Sequence, residues 1–169
     1  MAKAAELLTD AFERVGGMVH GAIEGLTDEE LSFRVDDGAN PIVWLIWHLT
    51  RVQDDHVAAV AGTEQVWTSG GWADRFALPL AVTETGYGHR AEQVAAVRAD
   101  VENLLGYYDA VEEVTLEYVR GLSDDDLDRI VDERWTPPVT LGARLVSVII
   151  DDVAHAEQAA YVRGIVERR

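Results

Sequence analysis

Cysteine is absent from all 169 residues. That excludes disulfides, a thiolate metal site and a nucleophilic thiol belonging to the protein, and it suits a reducing compartment such as the cytoplasm. Any thiol chemistry here must use a thiol that a ligand brings. Basic residues are scarce as well: 14 Lys and Arg against 31 Asp and Glu leave a formal net charge of -17. Nucleic acid and anionic membrane surfaces repel such a chain, so neither is an expected partner. Long apolar runs are missing. Pro41 to Trp47 is far too short to span a bilayer, and Met1 to Leu8 carries Lys3 and Glu6 where a signal peptide needs an apolar stretch. There is no Gly-rich phosphate loop and no G-x-S-x-G elbow, which removes the usual signatures of nucleotide binding and serine hydrolysis. Alternating apolar and polar runs bounded by turn residues are lacking too, so no strands are predicted.

What remains is helical. Hydrophobic content of 48% with 27% charged residues is ordinary for a soluble protein, and the length fits one domain over residues 1–169. Leu8, Phe12, Val15, Val19, Ile23 and Leu26 recur at steps of three and four, which predicts a helix over 4–25. Thr27 and Glu30 have capping-box spacing, and Asn40-Pro41 reads as an N-cap followed by a first helical residue. A second helix is predicted over 41–61, ending near Gly62. Its first half is apolar nearly all round and holds His48; its second half, with Arg51, Gln53, Asp54, Asp55 and His56, reads as more exposed.

Residues 63–88 show no sustained period and carry Trp67, Trp72, Phe76 and Tyr87. A connection this long inside a compact domain is usually functional, and it reads as a crossover folded over an opening in a bundle. Val94, Val97, Val101, Leu104, Tyr108, Val111, Val114 and Tyr118 predict a third helix over 90–121. The heptapeptide GLSDDDL at Gly121 then repeats GLTDEEL at Gly25, 96 residues later, and each copy precedes a Pro-containing loop and another helix. The fourth helix is predicted over 139–166. The expected fold is therefore an all-α four-helix bundle, two helical hairpins joined by a long aromatic-rich crossover, with a core site between facing helices.

Chemistry concentrates in VIIDDVAHAEQAAYVR, residues 148–163. Asp151 and His155 are four apart, so they share one helix face, and Val148, Ala159 and Val162 make the rest of that stripe apolar. A carboxylate and an imidazole buried in such a stripe need a partner, and a metal ion is one that i,i+4 pairs commonly hold. If the second helix faces the fourth, His48 joins them. Two imidazoles and one carboxylate with open positions make the usual donor set of a catalytic metal, with zinc the default; ligand type alone does not select against iron(II), nickel or manganese. A hydrogen-bonded His155–Asp151 pair without metal is the competing reading. Asp152, Asp55 and His56 are rival ligands by spacing, whereas His20 and His89 are lone histidines of the kind that more often pack or face solvent.

The segment NPIVWLIWHLTRVQDDH together with the pattern DxxxHxxQxxYVRG, from Asp151 to Gly164, resembles the DinB-like superfamily of four-helix bundles. WHLTRVQDDHVA, GWADRFALP and RWTPPVTLGARLVS are similar to the actinobacterial mycothiol S-transferases of that superfamily. Many DinB-like members use three histidines; Asp151 replaces the first histidine of the last-helix pair, as an acid does in the related mycothiol-dependent isomerases. The resemblance implies a metal site of His48, Asp151 and His155 and a cytoplasmic detoxification enzyme. Its ion, zinc by default, would activate mycothiol as a thiolate toward an electrophile. Trp44, Arg51, Trp72, Arg75, Tyr87 and Gln158 become candidates for the pocket wall and for contacts to the sugar portion of the thiol. A mycothiol-dependent isomerase and a non-enzymatic metal-binding stress-response bundle are the alternatives. The partners implied are a small-molecule thiol and an electrophile, and the exposed helix halves leave room for a homodimer.

Overall fold

The computed structural model describes residues 3–169; Met1 and Ala2, which fall within the 1–169 domain and the Met1 to Leu8 segment considered above, lie outside the described residues. Four long helices carry the fold: α1 (Ala4–Ile23), α3 (Ile42–Ala61), α7 (Val101–Arg120) and α8 (Leu141–Val166). Shorter pieces are α2 (Asp28–Leu31), α4 (Val66–Ser69), α5 (Trp72–Phe76) and α6 (Ala91–Ala96), with strands β1 (Ile130–Asp132) and β2 (Val139–Thr140) ahead of α8. Helix α3 packs on α8 and α7, and α1 packs on the same two. Helices α1 and α3 therefore stand diagonally, and every lateral contact of the bundle joins the first half of the chain to the second. That arrangement is what makes α3 and α8 neighbours.

The apolar stripes do what their spacing implies. Phe12, Val15, Val19 and Ile23 of α1 are fully buried, as are Leu104, Tyr108 and Val111 of α7 and Leu145 of α8. Trp47, Tyr107, Tyr108 and Phe12 are the largest apolar contributors among the fully enclosed side chains. Each removes on the order of 150–250 Å² from water, roughly 4–6 kcal/mol as an upper bound. No helix among the described residues is long and apolar enough to cross a membrane.

The two related heptapeptides close in the same way. Thr27 Oγ1 accepts from the Glu30 backbone N–H while Glu30 reaches back to the Thr27 N–H; Ser123 and Asp126 repeat the exchange. Four local expectations are corrected. Pro41, in extended conformation, is itself the N-cap of α3, one residue later than the Asn40 reading. The predicted helix over 90–121 is broken between α6 and α7: Val97 is extended, and the Asp100 carboxylate accepts from Asn103 N–H to start a new helix. Apolar spacing survives the break because Val97 stays fully buried, so periodicity could not reveal it. The strands were missed because β1 and β2 form a two-stranded antiparallel ladder of three and two residues, too short for alternation to register. Finally, the second half of α3 is not exposed: Arg51, Gln53 and Asp54 are buried.

The crossover supplies the reason. Asp54 accepts hydrogen bonds from the Val66 and Trp67 N–H groups at the start of α4, each 2.8 Å long, and from the Tyr107 hydroxyl. Arg51 donates to Gln65 Oε1 and to the carbonyl of Glu84, at opposite ends of the crossover. Trp67 and Phe76 from the crossover complete the core over α3 and α7. Residues 63–88 are thus bolted to α3 by buried polar groups rather than laid loosely across it.

Candidate metal centre

Helix α3 places His48 within its wholly buried first half, and α8 places Asp151 and His155 one turn apart on the side that packs against α3. Each of the three offers one ligand atom, and these atoms lie within 4.8 Å of one another. The packing of α3 on α8 brings them together across a wide sequence gap. His155 Nε2 and Asp151 Oδ1 are 3.7 Å apart, beyond hydrogen-bond range. Two ligands each about 2.1 Å from one tetrahedral ion stand roughly 3.4 Å apart, so the spacing is near what a shared ion requires. Asp151 Oδ2 and His155 Nδ1 are shielded from solvent and have no hydrogen-bond partner. An unsatisfied buried polar atom costs about 1–3 kcal/mol, and a cation held by the Asp151 carboxylate offsets the orphaned Oδ2. The donor set therefore fits a divalent metal, and it answers the competing reading: His155 and Asp151 do not satisfy each other.

His48 is oriented from behind. Its Nδ1 faces the Thr85 carbonyl, and because a carbonyl only accepts, Nδ1 carries the proton and Nε2 keeps its lone pair. Such a hydrogen bond to the far nitrogen is the usual way a ligating imidazole is held. Trp44 stacks on the ring, with centroids 4.6 Å apart and planes 17° from parallel. Burial pulls the His48 imidazole below its ordinary value; neighbouring His155 adds to this, while the Thr85 carbonyl and Asp151 oppose it. A neutral imidazole is the form that binds metal.

The rival ligands lie elsewhere. Asp152 is fully buried, turned away from the groove into the bundle core, where neither carboxylate oxygen has a partner. Burial, with the charge of Asp151, raises it well above the ordinary carboxylate range. Asp55 and His56 are two turns along α3 and line a separate cleft. His20 joins Glu24 to Asp109 on α7. His89 accepts from Trp44 Nε1 through Nδ1 and meets Glu84 through Nε2, so it supports the site from behind Trp44.

The candidate wall residues divide. Trp44 is at the centre, against both histidines. Gln158 lies on the exposed face of a largely apolar cleft with Leu45, Tyr161 and Val162, one turn from His155. Arg51, Trp72 and Arg75 are engaged in contacts other than with the donors. Arg51 is fully enclosed and tied to the crossover. Trp72 packs against Tyr107 and Gly106 of α7, with Arg75 stacked on its outer face. Tyr87 is 92% exposed. Aromatic and cationic residues in an aperiodic stretch look alike whether they anchor the loop or face a ligand. Sequence reasoning also missed the roles of Thr85 and Gly86. Thr85 acts through its main chain, which leaves no mark in the sequence; Gly86 holds φ 100° with the His48 ring beside it, and a lone glycine in a loop signals only a turn.

The comparisons with known proteins agree with this architecture. The sequence profile described as the DinB superfamily matches residues 11–159. The crystal structure of a conserved protein from Enterococcus faecalis is similar over 100% of both chains, at 29% sequence identity and a TM-score of 0.92. No curated protein matches the chain.

Proposed function

The chain belongs to the DinB superfamily, and from that premise we propose that it is a metal-dependent S-transferase joining the low-molecular-weight thiol mycothiol to electrophilic substrates. The observation that carries the reading is the convergence of His48, Asp151 and His155 within 4.8 Å, in a chain that owns no cysteine. When bound, a divalent ion such as zinc supplies a Lewis acid that keeps a thiol ionised; moving a thiol pKa from about 8.5 to near 7 is worth roughly 2 kcal/mol. The residues do the rest. His48, fixed by Thr85, and Asp151 with His155 on one face of α8 hold the donor geometry. Trp44 and the Glu84 to Gly86 segment close the inner side against water. The apolar cleft at Leu45, Gln158 and Val162 suits the carbon framework of the electrophile. A cytoplasmic location accords with the missing cysteines and with the supply of a reduced thiol.

The isomerase alternative relied on Arg51 and Arg75 near the metal, and both are engaged elsewhere. Substitution His48→Ala is expected to abolish metal stoichiometry and the conjugation of mycothiol to a chromogenic electrophile. Full activity in that variant, or in metal-stripped protein, would sink the reading.

A further inference from the structure

We propose that the cleft between α3, α8 and the β1–β2 hairpin binds the uncharged, polyhydroxylated part of the thiol co-substrate; this rests on the transferase reading above. The cleft measures about 600 Å³, within the range that holds a ligand of drug size. Its position follows from helix register. The cleft is separate from the metal donors but stands on the same two helices: His56 is eight residues past His48, about 12 Å along α3, and Arg144 is seven before Asp151, about 10 Å along α8. A ligand whose thiol meets the donors must span this offset to place its body in the cleft.

The lining decides what that body is. Arg129, Arg134 and Arg144 oppose Asp55, Asp132 and Glu133, so the formal charges cancel although the whole chain carries -17. Most of the cations are already used. Asp132 accepts from Arg134 at 2.8 Å and from Arg144 at 3.3 Å, and Arg129 donates to the Val60 carbonyl and the Tyr118 hydroxyl. An anionic ligand would find Arg134 and Arg144 already paired with Asp132 and would meet Asp55 and Glu133. A neutral polyol meets what it needs: carboxylate acceptors, spare guanidinium donors and an imidazole, alternating around the cleft.

The test is to titrate the thiol-free glycoside of mycothiol into the whole protein, with and without zinc, following backbone amide shifts. Shifts at Asp55, His56, Glu133 and Arg134 are expected in both states. Variants His56→Ala and Glu133→Ala should weaken glycoside binding and raise the KM for mycothiol about tenfold each, with metal stoichiometry retained and Glu133→Gln restoring much of the loss. Glycoside binding at the cleft without any conjugation would uphold the cleft while removing the transferase reading. Conjugation of mycothiol with no shifts in the cleft, or with the same KM as N-acetylcysteine, would overturn the cleft and leave the transferase intact.

Discussion

Gly86 and His48 show how little freedom the donor site has. A Cβ at position 86 would stand 2.5 Å from His48 Nδ1 and 3.1 Å from Trp44, on a backbone at φ 100° that side chains rarely adopt. Gly86→Ala must therefore displace the imidazole from Thr85. Loss of such a supporting contact typically costs 10–100-fold in metal affinity, and competition with a chromophoric chelator should read a drop of that size while far-UV dichroism stays helical. Unchanged affinity would mean that Thr85 does not orient His48. Asp54 is the second sensitive residue. Burial pushes its carboxyl up, against hydrogen bonds from Tyr107, Trp67 and Val66 and the nearby charge of Arg51, which is 3.6 Å away and fully enclosed. Asp54→Ala leaves that guanidinium without its counter-charge, a change worth about 3–5 kcal/mol. Urea unfolding measures it, and a loss below ~1 kcal/mol would show that the crossover is anchored by its aromatics alone.

Between elements, His20 reports the docking of α1 on α7. It contacts Glu24 on its own side and Asp109 across the interface, both at 2.8 Å. Burial pulls the imidazole down, but the two carboxylates outweigh it, so its pKa lies above the ordinary 6.5. A raised pKa means that the contribution to stability is complete below the unfolded value and fades as pH rises through the folded one. His20→Gln should therefore lower unfolding free energy near pH 5.5, by no more than the ~1 kcal/mol typical of half-exposed pairs, and make no difference near pH 9. A constant difference across that range would assign the residue a packing role. The broken third helix belongs to this scale too: Asp100 outcompetes continuation because its cap satisfies an amide that the extended Val97 leaves without a helical partner.

For the molecule as a whole, the core is built from buried apolar side chains of the four long helices and the crossover. Chelator-treated protein is expected to keep its helical spectrum. Zinc at one hundred times its dissociation constant should add about 2.7 kcal/mol, or roughly 5–10 °C in melting temperature. Unfolding on metal removal would instead mark a structural ion. This division of labour was partly legible in the sequence. Helix stripes, the Thr27–Glu30 capping box, and the Asp151–His155 pair are encoded locally, in spacings of three and four. The chain alone also settled that no thiol belongs to the protein. What it could not encode locally was decided by packing: that α3 and α8 are neighbours, that Arg51 turns inward to hold the crossover, that Asp152 faces the core while Asp151 faces His48, and that a backbone carbonyl orients the imidazole. A carbonyl has no residue type to announce it, and the side an arginine or a second aspartate faces depends on which helix arrives opposite, which only the assembled bundle determines.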